Sequence, residues 1–119
     1  MKVYLAGPMR GLPFFNHQAF RDGAALLRSQ GHEVFSPVES TESIYGPDIY
    51  RTNEAGDEPL AGIDGRRVFA LDLEYICKEA EAVAMLPGWE NSRGARAEHA
   101  AALALDHRII YLDVAATNG

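Results

Sequence analysis

Short apolar runs alternate along the chain with longer segments in which apolar residues recur every three or four positions. The runs predict four strands, at residues 2–6, 33–36, 82–86 and 108–112. The spaced patterns predict three helices, from an N-cap at Asn16 to about residue 30, from about 63 to 79, and from an N-cap at Ser92 to about 106. Strands that alternate with helices predict one α/β domain over residues 1–119, with a doubly wound parallel sheet.

Residues 37–62 depart from this pattern. They contain three of the six prolines, and six acidic residues stand against the single Arg51, which makes a net charge of 1 − 6 = −5. We interpret the segment as an acidic loop that acts as a lid or a binding loop. A solvated excursion with a short helix around residues 48–52 is the alternative. In the helix that follows, Cys77 falls on the apolar face and is predicted to pack in the core.

The charge and cysteine content exclude several classes of function. The chain has 119 residues, and 11 Lys and Arg against 17 Asp and Glu give a net charge of −6. A nucleic acid polymer is therefore not an expected partner, because binding phosphates requires clustered cations. One cysteine allows neither an internal disulfide nor a multi-cysteine metal site, and it fits a cytoplasmic protein. No apolar run reaches membrane-spanning length, the four histidines lack metal-site spacing, and we expect no membrane partner, metal or cofactor.

Two loops that follow predicted strands are candidate binding elements, because ligands of such sheets bind beyond the carboxyl ends of the strands. In the loop of residues 7–11, Gly7 and Gly11 allow close backbone approach and Arg10 can bind a phosphate or carboxylate. A tight turn with a surface arginine is the alternative. In the second loop, Ser92 and the amides of Gly94 and Ala95 form a helix N-terminus, which favours an anion. A serine cap with no ligand is the alternative.

Two carboxylates are candidates for chemistry. Glu98 follows Gly94 by four residues, on the same helical face and among small apolar neighbours, so it either points into a cleft or is a solvated helix residue. Asp72 lies at the edge of the apolar face of its helix, and is either bonded to a loop or directed at the cleft. Two carboxylates from different elements can divide nucleophilic and proton-transfer roles.

Together these segments resemble the nucleoside 2-deoxyribosyltransferase-like superfamily, and most closely its small, often phage-borne branch. The matching motifs are Tyr4–Gly11, Asp72–Leu73 with Ile76 and Ala80, Leu86–Trp89, and Ser92–Ala95 with Glu98. The resemblance implies a flavodoxin-like or Rossmann-like fold and cleavage of an N-glycosidic bond. It implies that Glu98 is the nucleophile, that Asp72 protonates the leaving base and that Tyr4 orients Glu98. It also implies a homodimer or larger homo-oligomer, with Trp89 and residues 37–62 as candidate interface elements.

One position separates the branches of the superfamily. True transferases carry an acid six residues before the nucleophile, whereas 2′-deoxynucleoside 5′-phosphate N-hydrolases carry the serine found here as Ser92. Gly7, Arg10 and Gly11 also match the Gly-x-x-Arg-Gly motif of those hydrolases. The resemblance therefore implies hydrolysis of a (deoxy)nucleoside 5′-monophosphate. A base-exchanging transferase is one alternative. An inactive nucleotide-binding module is another, because Arg96 and Ala100 replace frequent glycines.

Overall fold

The computed structural model describes residues 1–51, 54–56 and 62–113. Within these ranges the strands are β1 (Lys2–Ala6), β2 (Glu33–Phe35), β3 (Ala82–Met85) and β4 (Arg108–Tyr111). The helices are α1 (His17–Ser29), α2 (Pro37–Tyr45), α3 (Gly65–Lys78) and α4 (Arg93–Ala104), with 3-10 turns at Pro13–Asn16 and Trp89–Asn91. The strands form one parallel sheet in the order β2-β1-β3-β4, which confirms the predicted doubly wound fold. No helix in the described ranges is both long and apolar enough to span a bilayer.

Side-chain alternation along β1 builds two cores, one on each face of the sheet. Val3 and Leu5 belong to the core that contains the buried residues of α1. Tyr4 and Ala6 belong to the opposite core, which contains the buried apolar residues of α3 and α4. Successive residues of a strand point to opposite faces, so one strand serves both layers. This alternation directs Tyr4 toward the helices that carry the candidate carboxylates.

The order of the strands creates a crevice between β1 and β3. From β1 the chain crosses to β2 on one side, and from β3 it crosses to β4 on the other side. The connections that leave the carboxyl ends of these two neighbouring strands therefore diverge, which opens a ligand-sized space between them. The two candidate loops, residues 7–11 and the loop that leads to Ser92, follow these strand ends.

The prediction for residues 37–62 was wrong in part, because residues 37–45 form α2. Pro37 occupies the first turn of this helix, where its fixed φ and missing N–H are tolerated. Val38 and Thr41 are buried, but so short a buried face leaves no visible period in the sequence. The alternative interpretation, with a short helix around residues 48–52, is also wrong for its described part, since residues 48–51 form turns. Residues 52–53 and 57–61 of the predicted lid lie outside the described residues.

Two smaller predictions are corrected by the structure. Cys77 is exposed, because Ile76 occupies the inward position of α3 and the next residue is rotated by roughly 100°. Asn16 precedes α1 as expected, but its side chain does not cap the helix. Its φ of 59° is left-handed, and its Nδ2 donates to the carbonyl oxygen of Pro8 at 3.0 Å. The side chain therefore ties α1 to the first loop.

Candidate functional site

A cleft of about 1290 Å³ opens at the carboxyl ends of β1 and β3. Eight of the nine predicted site residues line it, and Gly11 does not. The eight are Tyr4, Gly7, Arg10, Asp72, Ser92, Gly94, Ala95 and Glu98. Residues from β1, α3, α4 and two loops are thus brought together at the position that the strand order favours.

A buried hydrogen bond joins Tyr4 to Glu98 in the wall of this cleft. The Tyr4 hydroxyl donates to Oε2 of Glu98 at 2.7 Å. Tyr4 is fully buried and Glu98 is 6% exposed. On α4, Glu98 shares its inward face with Ala95 and Ala102, whose small side chains let the helix approach the sheet. The carboxylate is therefore held in one orientation by a donor from the central strand.

A second buried carboxyl, Asp72 of α3, lies near this pair. Asp72 is 5% exposed and interacts electrostatically with Tyr4 and Glu98. Among the described residues, no group forms a hydrogen bond with its Oδ1. Leaving a buried polar atom without a partner costs about 1–3 kcal/mol. This oxygen is itself buried, so it has neither a described partner nor contact with bulk water.

Burial makes both carboxyls weak acids. Desolvation raises the pKa of Glu98 to about 8, the hydrogen bond from Tyr4 opposes the rise, and repulsion from Asp72 adds to it. Desolvation raises the pKa of Asp72 to about 7, and the Tyr4 hydroxyl offsets part of this rise. Burial and both carboxylates also raise the pKa of Tyr4 well above its usual range, so Tyr4 remains a donor. Near neutral pH the pair can hold a single proton, and the higher pKa of Glu98 favours that proton on Glu98 over Asp72.

Protein stability is expected to decrease as the pH rises from about 5 to about 8. The pKa values of Asp72 and Glu98 are raised above their ordinary 3.8 and 4.5, so protonation stabilises the folded chain. This stabilisation is complete below the ordinary values and is lost as the pH passes about 7 and about 8. Glu98→Gln removes one of these groups. Relative to wild type, it should gain on the order of 3 kcal/mol in free energy of unfolding between pH 5 and pH 8.

Urea unfolding of the wild type and Glu98→Gln at both pH values measures this gain. Glu90→Gln is the matched control, because Glu90 is exposed and outside the cleft. If the free energy of unfolding changed equally with pH in all three proteins, the buried carboxyl pair would not be protonated as inferred.

The N-termini of the two helices in the cleft are capped differently. In α4, the Ser92 hydroxyl accepts from the Ala95 N–H at 3.2 Å, so this amide is used by the cap. In α3, the Asp64 carboxylate accepts from two N–H groups of the first turn, at 3.1 and 3.2 Å. A neutral cap leaves the positive end of α4 uncompensated, whereas a carboxylate already neutralises that of α3. An anion is therefore favoured at α4, near the Gly94 N–H and the proton of the Ser92 hydroxyl.

Gly7 and Gly94 both line the cleft but are glycines for different reasons. A Cβ on Gly7 would lie 2.8 Å from Cβ of Leu86, so this glycine allows the ends of β1 and β3 to pack together. A Cβ on Gly94 would meet no described atom closer than Cε1 of Phe69, at 3.9 Å. The fold has room for a side chain at position 94, and its absence leaves space for a ligand.

Residues 54–56 of the acidic segment lie against the first loop. The Gly11 N–H donates to the carbonyl of Gly56 at 2.9 Å, and the Phe14 N–H donates to that of Glu54 at 3.1 Å. Gly11 has a φ of +80°, a conformation that favours glycine in a turn. It does not line the cleft. Arg10, its neighbour, is exposed and lines the cleft. Residues 54–56 of the predicted lid thus support the loop that carries Arg10.

A family model for a domain of unknown function, DUF4406, matches residues 1–56 and 61–111. The chain belongs to the DUF4406 family. No curated protein and no solved structure matches it. The matched ranges contain all nine predicted site residues and every element that carries them. The geometry of the cleft is therefore the basis for assigning a function to this DUF4406 domain.

One wall of the DUF4406 cleft was not predicted from the sequence. Phe14, Phe15 and Asn16 have φ values of 49°, 56° and 59°, which form a left-handed turn. Phe15 and Asn16 line the cleft, and Phe15 is buried with its ring 5.5 Å from that of Tyr50. Residues other than glycine rarely adopt this conformation, so residue preferences do not predict three successive left-handed residues here.

The first turn of α3 is a second missed part of the cleft. Gly65, Arg66, Val68 and Phe69 line it together with Asp72. A signal for them was present, because positions three and four residues before Asp72 lie on the same side of a helix. Extending the face of Asp72 toward the start of its helix would have identified Val68 and Phe69.

Several other candidate residues lie outside the cleft lining. Arg96 is exposed on α4 and does not narrow the site. Trp89 packs on His99 with ring centroids 4.2 Å apart, and His99 Nε2 lies 2.9 Å from the Tyr111 hydroxyl. Trp89 therefore covers α4, and a role in an oligomer interface stays a prediction. In the described part of the chain, no cluster of three or more His, Cys, Asp or Glu residues could bind a metal.

Proposed function

We propose that this DUF4406 protein hydrolyses the N-glycosidic bond of a (deoxy)nucleoside 5′-monophosphate. The observation that carries the proposal is the 2.7 Å hydrogen bond from Tyr4 to a buried Glu98, close to a second buried carboxyl, Asp72. N-glycoside cleavage passes through an oxocarbenium-like state, which a fixed carboxylate stabilises and can trap. The resemblance to the nucleoside 2-deoxyribosyltransferase-like superfamily supports the same roles for these residues.

In the first step of the proposed reaction, ionised Glu98 attacks the anomeric carbon of the sugar. The bond from this carbon to the base nitrogen breaks, and the electron pair leaves with the base. The reactive form is the one in which Asp72 holds the proton, and Asp72 donates this proton to the leaving base. It is the less populated singly protonated form, because the pKa of Glu98, about 8, exceeds that of Asp72, about 7. The hydrogen bond from Tyr4 to Oε2 favours the ionised form of Glu98 and holds the carboxylate in one orientation. The product of this step is a glycosyl ester of Glu98 and a free, neutral base.

In the second step, water attacks the anomeric carbon and the ester bond to Glu98 breaks. Asp72, now a carboxylate, accepts the proton of the water, so both carboxyls return to their starting states. The sugar 5-phosphate leaves as the second product. Each substitution inverts the configuration of the anomeric carbon, so two in succession retain it.

The 5′-phosphate is proposed to bind at the N-terminus of α4. Ser92 caps this helix with a neutral hydroxyl, Gly94 leaves space beside it, and Arg10 lines the same cleft. Glu98 lies on the same helix, four residues after Gly94, which is about one turn. A phosphate held at the first turn would place the attached sugar near the carboxylate, which is catalysis by positioning.

Chromatography of the purified protein incubated with nucleosides and nucleoside 5′-monophosphates, ribo and deoxy, tests the proposed function. Release of free base from monophosphates, and not from nucleosides, is the expected result. Base exchange between two nucleosides would indicate a transferase instead. Monophosphate binding without base release would indicate an inactive nucleotide-binding module.

A homodimer or larger oligomer and a cytoplasmic location are further expectations. Light scattering measures the oligomeric state directly.

A further inference from the structure

The cleft extends beyond the space that a mononucleotide requires. Its volume is about 1290 Å³, while sites for small ligands commonly measure ~300–1,000 Å³. The additional wall comes from the N-terminal end of α3, where Gly65 and Arg66 of the first turn, and Ile63 just before the helix, face the same space as Ser92 and Gly94. The N-terminal half of α3 lies close to the first turn of α4, since a Cβ on Gly94 would lie 3.9 Å from Cε1 of Phe69.

The exposed part of this cleft is basic, although the whole chain carries a net charge of −6. The described lining residues include three arginines, Arg10, Arg66 and Arg93, and all three are exposed. The acidic lining residues in the described ranges are the buried pair of carboxyls and one exposed residue, Asp64. The Asp64 carboxylate accepts from backbone N–H groups of α3. Cations are therefore concentrated at the opening of the cleft.

Arg66 and Arg93 occupy positions that helix energetics disfavours. Each lies in the first turn of its helix, where the macrodipole repels a cation. The neutral Ser92 cap leaves this repulsion on Arg93, whereas the Asp64 cap of α3 offsets it at Arg66. Within the described ranges, no carboxylate forms a salt bridge with either guanidinium. Neither guanidinium is therefore neutralised by a salt bridge to a described acid. A bound anion between them would supply the missing partner.

We infer that the cleft binds a nucleotide with a second phosphoryl group, as a nucleoside diphosphate or as the diphosphate half of a dinucleotide. The first phosphate occupies the N-terminus of α4 at Ser92 and Gly94, and the second lies between Arg66 and Arg93. This inference rests on the proposed function for the presence of a nucleotide. It does not depend on cleavage of the glycosidic bond.

Calorimetric titration with inorganic phosphate and inorganic pyrophosphate tests the inference without knowledge of the base. Pyrophosphate is expected to bind at least ~10-fold more tightly than phosphate. Arg66→Ala should weaken pyrophosphate binding ~10-fold and phosphate binding less than ~2-fold. Arg67→Ala is the matched control, because Arg67 is exposed in the same turn but does not line the cleft. Arg93→Ala and Arg96→Ala form an equivalent pair on α4.

The same titrations overturn the inference if Arg66→Ala behaves like Arg67→Ala, or weakens both ions equally, which would indicate a single phosphate site. Competition by ADP and by diadenosine diphosphate then shows whether the cleft accepts a free or a dinucleotide-linked diphosphate. If neither compound binds more tightly than AMP, the inference is also overturned. Base release without a pyrophosphate preference would leave the proposed function standing alone. A pyrophosphate preference without base release from any nucleotide would leave only this inference.

Discussion

Glu98→Gln is expected to lower the rate of base release from nucleoside monophosphates by ~10⁴-fold or more, because it removes the nucleophile. The glutamine has the same shape, and its carbonyl oxygen can accept the hydrogen bond that Tyr4 donates to Oε2 at 2.7 Å. The fold and the shape of the cleft should therefore persist. Single-turnover chromatography of the released base measures the rate, and calorimetry with the same monophosphate measures binding.

The expected signature is a loss of turnover with little loss of binding. Glu90→Gln removes an exposed carboxylate outside the cleft lining and should retain the wild-type rate. If Glu98→Gln released base within ~10-fold of the wild-type rate, the carboxylate would serve only as a structural acceptor for Tyr4, and the nucleophilic role would be wrong.

Ser92→Asp is expected to weaken binding of nucleoside 5′-monophosphates by ~100-fold while it preserves the helix. Aspartate caps a helix as well as serine does, and its charge favours the positive end of α4. The same charge would occupy the place proposed for the phosphate and repel it. Calorimetry with the monophosphate and thermal unfolding of the protein measure the two effects separately.

Ser92→Ala provides the opposite pattern and is the matched comparison. It loses the 3.2 Å hydrogen bond from the Ala95 N–H, which should cost about 1 kcal/mol of stability, but it introduces no charge. Monophosphate binding should therefore decrease less in Ser92→Ala than in Ser92→Asp, while stability decreases more. Equal monophosphate affinity in the wild type and Ser92→Asp would exclude the N-terminus of α4 as the phosphate site.

The sheet could be predicted well because its signals are local. Each central strand is a continuous apolar run that ends at Gly7-Pro8 or Pro87-Gly88, and such runs are buried on both faces of a parallel sheet. The predicted positions of all four strands agree with the structure to within one residue at each end. Helix α2 was missed because only a short face is buried, too little to establish a period.

Within the site, the spacing of residues along the sequence predicted which of them share a helix. It could not predict contacts between residues of different elements. The interval from Ser92 to Glu98 places a cap and a carboxylate on one helix, which sequence reasoning can use. The contact between Tyr4 and Glu98 joins residues 94 positions apart, and only packing of α4 on the sheet creates it. Gly7 shows most clearly what the sequence could not predict. In sequence it suggested ligand approach, yet Leu86 occupies the space where its side chain would be.

The sequence by itself determined the strands, the main helices and the set of polar residues at the strand ends, because apolar periodicity and glycine–proline boundaries act over a few residues. Tertiary structure alone decided which of those polar residues are buried together and which atoms lack partners. It also brought the first turn of α3, with Arg66, into the same cleft as the N-terminus of α4. Burial and its effect on the pKa of Glu98 depend on atoms from distant elements, so no local pattern specifies them.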